Sequence, residues 1–70
     1  MIKVVIAQNE KEAREISVAY RETTVGALLA ALELSASRFG GILLNGKPAK
    51  ESDRLADGDV VYLLPRLSGG

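Results

Sequence analysis

The sequence predicts an α+β domain in which one helix covers one face of a mixed sheet of four or five strands. Three observations predict it: two period-two segments open the chain, one period-3.6 segment follows, and short apolar runs between turn residues close it. At 70 residues the chain allows one domain. A domain this small buries only about 60% of the surface its unfolded chain exposes, so its apolar residues must be used efficiently. They make up 47% of the chain, too many for disorder, and aromatics are only 4%, so the core should be aliphatic.

The elements follow in order. Ile2, Val4 and Ile6 alternate with Lys3, Val5 and Ala7, which is the period of a strand. A polar stretch from Gln8 to Glu12 suits a turn, and Glu10, Lys11, Glu12, Arg14 and Glu15 read as a solvated hairpin. Ile16, Val18 and Tyr20 alternate with Glu15, Ser17 and Ala19, giving a second strand antiparallel to the first. Val25, Leu28, Leu29 and Leu32 then lie on one helical face. Thr23 or Thr24 is its N-cap, Gly26 in its first turn allows close packing, and the helix should end near Leu34. A loop is expected from Ser35 to Gly41, followed by a short strand, Ile42-Leu43-Leu44.

Asn45-Gly46 is a tight turn, because both residues tolerate positive φ. Lys47 to Lys50 returns as a short strand, with Pro48 restricted to an edge because it has no N–H to donate. Ser52 is expected to cap one helical turn that drops Leu55 into the core. Asp57-Gly58-Asp59 is a further turn, Val60 to Leu64 the last strand, and Pro65 its end. One helix and this strand order give a β-grasp arrangement, with a domain over residues 1–65 and a tail over 66–70.

Composition excludes several functions. Nine basic and nine acidic residues cancel, which removes the electrostatic argument for nucleic acid. Without Cys or His there is no disulfide, no thiolate or imidazole metal site, and no cysteine or histidine catalysis. Asp57 and Asp59 fit turn chemistry better than paired catalytic carboxylates. The opening Met1-Ile2-Lys3-Val4-Val5-Ile6 is too short for a signal core or a membrane span, so a cytoplasmic protein without a membrane partner is expected.

A terminal Gly69-Gly70 pair alone is a weak signal, since chance produces one in about 200 chains. The residues before it add to that signal. The run from Leu55 through Asp57-Gly58-Asp59, Val60-Val61-Tyr62-Leu63-Leu64, Pro65 and Gly69-Gly70 resembles the end of the ubiquitin-like sulfur-carrier proteins. That MoaD/ThiS family includes the small subunit of molybdopterin synthase, the thiamine sulfur carrier and the ubiquitin-related modifiers. Met1-Ile2-Lys3-Val4 and Asn45-Gly46 resemble it too. Arg66 stands where many molybdopterin-type carriers have a second proline, and the loop after the first strand is shorter than in many of them.

The resemblance implies a ubiquitin-like fold and a carrier, not an enzyme. A ubiquitin-activating-type enzyme would use ATP to adenylate the Gly70 carboxylate, and the carrier itself would bind no cofactor. The product would be a thiocarboxylate that gives sulfur to a synthase large subunit or another acceptor, with the molybdopterin or tungstopterin type favoured and the thiamine type next. Two other readings share the sequence: a modifier conjugated through Gly70, and a noncovalent β-grasp interaction module. Gly69 and Gly70 lack Cβ atoms and suit passage through a narrow channel. Val61 and Leu63 share one face of the last strand, and Val60, Tyr62 and Leu64 the other. The resemblance points Leu64, just before the proline, at a partner enzyme. Tyr62, Leu64, Arg66, Leu67 and Ser68 are therefore the candidate docking residues, and a continuous patch with Val5 or Leu43 would mark an interface.

Overall fold

The computed structural model describes residues 1–7 and 11–66. The chain forms β1 (Ile2–Ala7), β2 (Ala13–Val18), α1 (Val25–Ala31), a 3-10 turn (Ala36–Arg38), β3 (Phe39–Leu44), β4 (Lys47–Pro48) and β5 (Val60–Pro65). The five strands form one sheet in the order β2-β1-β5-β3-β4. Only β1 and β5 run parallel; β1–β2, β3–β4 and β3–β5 are antiparallel. The last strand is thus the middle strand, and α1 is the crossover between the β1–β2 hairpin and β3. This is the β-grasp arrangement.

Register puts the period-two residues in cross-sheet rows. Ile16, Val4, Val61 and Leu44 form one row, and Ile6, Leu63 and Ile42 the next. Both rows face α1, which contributes Val25, Leu28 and Leu29. Leu55 completes a core that is entirely aliphatic, with Ile2, Val4, Val25, Leu29, Val61 and Leu63 almost fully buried. No polar side chain is buried among the described residues.

Each end of α1 has a local cause. The Thr24 Oγ1 accepts the Ala27 N–H at 3.2 Å, an N-cap bond to the third helical residue. At the other end the Leu34 N–H reaches Leu29 O at 2.8 Å and the Glu33 N–H reaches Ala30 O at 3.0 Å. These are the two bonds of a Schellman cap. Glu33 takes the left-handed conformation (φ 59°) that glycine usually supplies there. The helix therefore stops at Ala31, short of the expected Leu34, and Leu34 folds back against the core. Gly26 lies close to the chain as expected: its N–H donates to Glu51 O at 2.8 Å, and an added Cβ would meet the Glu51 Cβ at 3.0 Å.

Four sequence expectations are corrected. β2 stops at Val18 because its partner β1 runs out at Ile2, so Tyr20 lies beyond the strand and is exposed. The segment from Ser35 to Gly41 is not all loop; Phe39–Leu44 is one strand, with a register shift between Phe39 and Gly41. β5 continues through Pro65, which pairs with Phe39. Ser52 caps no helical turn. Instead the Asp53 N–H closes a turn on Lys50 O, its carboxylate accepts the Lys50 N–H at 2.9 Å, and Arg54 bridges to Thr24. That bridge extends the chain, and Leu55 reaches the core from it. The turn expected at residues 8–10, and Glu10 with it, lies outside the described residues.

The two glycine turns form as read. Asn45 and Gly46 both have positive φ, 53° and 84°, and join β3 to a two-residue edge strand that carries Pro48. The Asn45 side chain donates to Asp59 at 2.9 Å and accepts the Val60 N–H at 3.0 Å. The other Asp59 oxygen accepts the Ala56 N–H at 2.7 Å, closing the turn around Gly58. The Met1 amino group pairs with Asp57. Asp57 and Asp59 thus hold the start of β5 in register.

Two stability measurements check this account. Leu63→Ala empties a fully buried site and should cost about 2–5 kcal/mol. That matches the ~3–5 kcal/mol that a core of this size supplies, so a urea titration should show the variant largely unfolded in buffer. Glu33→Gly should have the opposite effect. A left-handed L-residue costs ~1–2 kcal/mol, while glycine in place of a side chain costs ~0.5–1 kcal/mol in entropy. A gain of about 0.5–1 kcal/mol should appear as a higher urea midpoint at unchanged slope.

Candidate functional site: the open sheet face and the end of the last strand

Alternation along β5 sends Val61 and Leu63 to the helix and Tyr62 to the opposite face. That face has no helix over it. Tyr62 is opposite Val5 on one side and Leu43 on the other. Val5 in turn faces Glu15, and Leu43 faces Pro48. One row across the sheet therefore reads Glu15, Val5, Tyr62, Leu43, Pro48, with three adjacent apolar side chains at its centre. Lys3 and Glu15 pair at 3.6 Å at one edge, placing a polar rim beside the apolar middle.

Leu64 extends the patch toward the end of β5. It is opposite Gly41, where an added Cβ would touch the Leu64 Cδ1 at 3.4 Å. Gly41 thus leaves the space that Leu64 occupies. Gly40 is more constrained. A Cβ there would come within 2.6 Å of Pro65 O and 3.3 Å of the Arg66 Cα. Only a residue without a side chain lets β3 pass so close to the end of β5.

Beyond Pro65 the direction of the chain is set by one polar contact. The Arg66 Nη1 donates to Ser37 O at 3.0 Å, in the 3-10 turn. The last described residue is thereby tied to the segment before β3. Leu67, Ser68, Gly69 and Gly70 lie outside the described residues.

Among the candidate docking residues, the structure brings Tyr62 and Leu64 onto one sheet face with Val5 and Leu43, and it places Arg66 at the adjoining end. Val5, Tyr62 and Leu43 thus form one continuous apolar patch. Sequence reasoning missed Ser37, Gly40 and Gly41, all assigned to a loop. A glycine pair directly before the apolar run Ile42-Leu43-Leu44 was the available signal, since a glycine inside a strand pattern marks a bulge or a close backbone approach. Among the described residues no group of acidic side chains could hold a metal ion, and no helix is long and apolar enough to cross a membrane.

The family model for the ThiS family matches residues 3–70, nearly the whole chain and through the diglycine. The chain belongs to the ThiS family. Within that ubiquitin-like family, SAMP1 from Haloferax volcanii is similar to it in structure, with a TM-score of 0.68 and 26% sequence identity. The match covers 99% of this chain and 98% of that one, so the two folds correspond from end to end. No curated protein matches the chain in sequence.

For this ThiS-family chain, Gly40 is the test of how the end of β5 is held. Gly40→Ala forces β3 and the Pro65 carbonyl apart and should cost about 1–3 kcal/mol, an overpacking cost. Because Arg66 adjoins the contact, its Nε–H signal should move in an NMR spectrum while the Leu29 methyl signals, in the core, stay in place.

Proposed function

We propose that the chain is a sulfur carrier whose C-terminal Gly70 carboxylate is its reacting group. A carboxylate oxygen attacks the α-phosphorus of ATP in the active site of an activating enzyme, pyrophosphate leaves, and an acyl-adenylate forms. A sulfide-equivalent nucleophile then displaces AMP and leaves a thiocarboxylate, which passes its sulfur to an acceptor in cofactor biosynthesis. The acceptor reading is molybdopterin- or tungstopterin-type synthesis first and thiamine-type synthesis second.

The observation that carries this reading is the junction of two features at one end of β5. The uncovered row through Tyr62 and the Leu64 side chain lies beside the point where the chain leaves Pro65. A partner seated on that row lies next to Pro65 and Arg66, the last described residues before the diglycine. The chain supplies no Cys or His for chemistry of its own, so the activating enzyme provides the nucleotide site and catalysis while the carrier provides the carboxylate. Tyr62 is suited to dock: it is large, has few rotatable bonds, and is 36% exposed at the centre of the row. Conjugation of Gly70 to lysines of other proteins shares the first step, and the family model covers the diglycine that both outcomes need.

Two measurements test the reading. Incubation with the cognate activating enzyme, ATP and a sulfur donor should give a product heavier by the difference between sulfur and oxygen. Removal of Gly69-Gly70 should abolish it, and an intact chain that is never adenylated would sink the proposal. Tyr62→Ala should raise the KM for the carrier by about tenfold, equivalent to ~1.4 kcal/mol, at unchanged kcat. High-mass adducts in lysate that vanish with the diglycine would assign the modifier role instead.

A further inference from the structure

A second surface adjoins the same end of the molecule, on the side of the sheet that carries the helix. Ile6, Leu34 and Phe39 form the apolar wall of an open cleft of ≈ 390 Å³, and Arg14 and Arg38 complete it. The topology brings them together. Arg14 is opposite Ile6 in the β1–β2 pair, so it falls on the helix side, where the edge of α1 leaves it uncovered. Leu34 closes the Schellman cap, Arg38 ends the 3-10 turn, and Phe39 follows it.

The two arginine side chains differ from the chain's paired cations. Lys3 pairs with Glu15, Arg54 with Glu22, and the Met1 amino group with Asp57. The side chains of Arg14 and Arg38, like those of Arg21, Lys47 and Lys50, have no hydrogen bond or ion pair among the described residues, but only these two share a cleft. Two guanidinium groups without carboxylates, on an apolar floor, match a ligand that is acidic and apolar at once. The volume lies near the lower end of the ~300–1,000 Å³ of ligand sites, so it suits a side chain with its neighbours better than a cofactor. The cleft also adjoins the exit of the tail. Phe39 pairs with Pro65, and Ser37, next to Arg38, holds Arg66.

We propose that this cleft docks a segment of the activating enzyme in which one large apolar side chain is flanked by carboxylates. The inference rests on the carrier reading and deepens it. The apolar residue seats against Ile6, Leu34 and Phe39, and the carboxylates meet Arg14 and Arg38. The enzyme would then grip both sides of β5, the row through Tyr62 on one face and the arginine cleft on the other.

The test is adenylation of the full chain by its cognate activating enzyme, followed as ATP–pyrophosphate exchange over a range of salt. Arg14→Gln with Arg38→Gln should raise the KM for the carrier at least tenfold, leave kcat unchanged, and flatten the dependence of KM on salt. Neither arginine is in the core, so the urea midpoint should not move. Lysine at both positions should restore part of the lost affinity, because charge returns without the guanidinium fork. An unchanged KM and salt slope overturn the inference while leaving the carrier reading intact. A lowered KM also overturns it, since the arginines would then be holding an acidic group of the chain itself. If the native chain is not adenylated at all, the carrier reading fails and takes this inference with it.

Discussion

Parallel pairing of β1 with β5 places the last strand of the chain in the middle of the sheet, and the rest of the structure depends on it. Val4 opposite Val61 and Ile6 opposite Leu63 join the first strand to the last, contacts that close a long loop. Their cost is met by burial on both sides of β5, since Val61 and Leu63 also meet Leu44 and Ile42 of β3. The hairpin, the helix and β3 then have fixed places around β5. Pro65 and Arg66 therefore lie at the end of the middle strand and not at a sheet edge.

This placement divides the strand's two faces by role. Toward the helix, β5 carries two fully buried aliphatic residues, and almost any polar substitution there would be destabilising. Away from it, Tyr62 and Leu64 lie on a face that the single helix cannot reach. With only one crossover helix, a sheet of this kind has one covered face and one open one. An apolar open face in so small a domain is a cost in solubility, and the polar rim of Lys3 and Glu15 confines the patch to the centre.

Much of this was legible in the sequence because the relevant signals are local. Period-two and period-3.6 patterns located β1, α1 and the two faces of β5, and Asn45-Gly46 and Asp57-Gly58-Asp59 gave their turns through residue chemistry alone. The errors occur where a distant partner decides. Tyr20 fits the alternation of β2, but a strand exists only as far as its partner, and β1 is too short to pair with it. Phe39 and Gly40 look like loop residues because nothing nearby shows that Pro65 and Arg66 will lie against them. Ser52 is a sound cap by composition, yet the Asp53 carboxylate takes the turn and the bridge to Thr24 extends the chain. The open apolar face was legible in the same partial way. Alternation placed Tyr62 and Leu64 together, whereas the neighbours that make a patch of them, Val5 and Leu43, come from register, which no local pattern specifies.

The same distinction explains why the chain's charges look uninformative in composition and informative in space. Nine positive and nine negative side chains sum to zero, yet they are not mixed evenly. Asp57 and Asp59 gather where β5 begins and are consumed there, by Met1, Asn45 and the turn itself. Arg14, Arg38 and Arg66 gather where β5 ends, and of these only Arg66 has a partner among the described residues, a backbone carbonyl. The carboxylates at one end thus serve folding by fixing the start of the central strand, while the Arg14 and Arg38 side chains at the other have no such partner among the described residues. A chain of zero net charge can therefore present a cationic rim at the place where its tail emerges. The two ends of β5 therefore differ in charge although the chain as a whole is neutral.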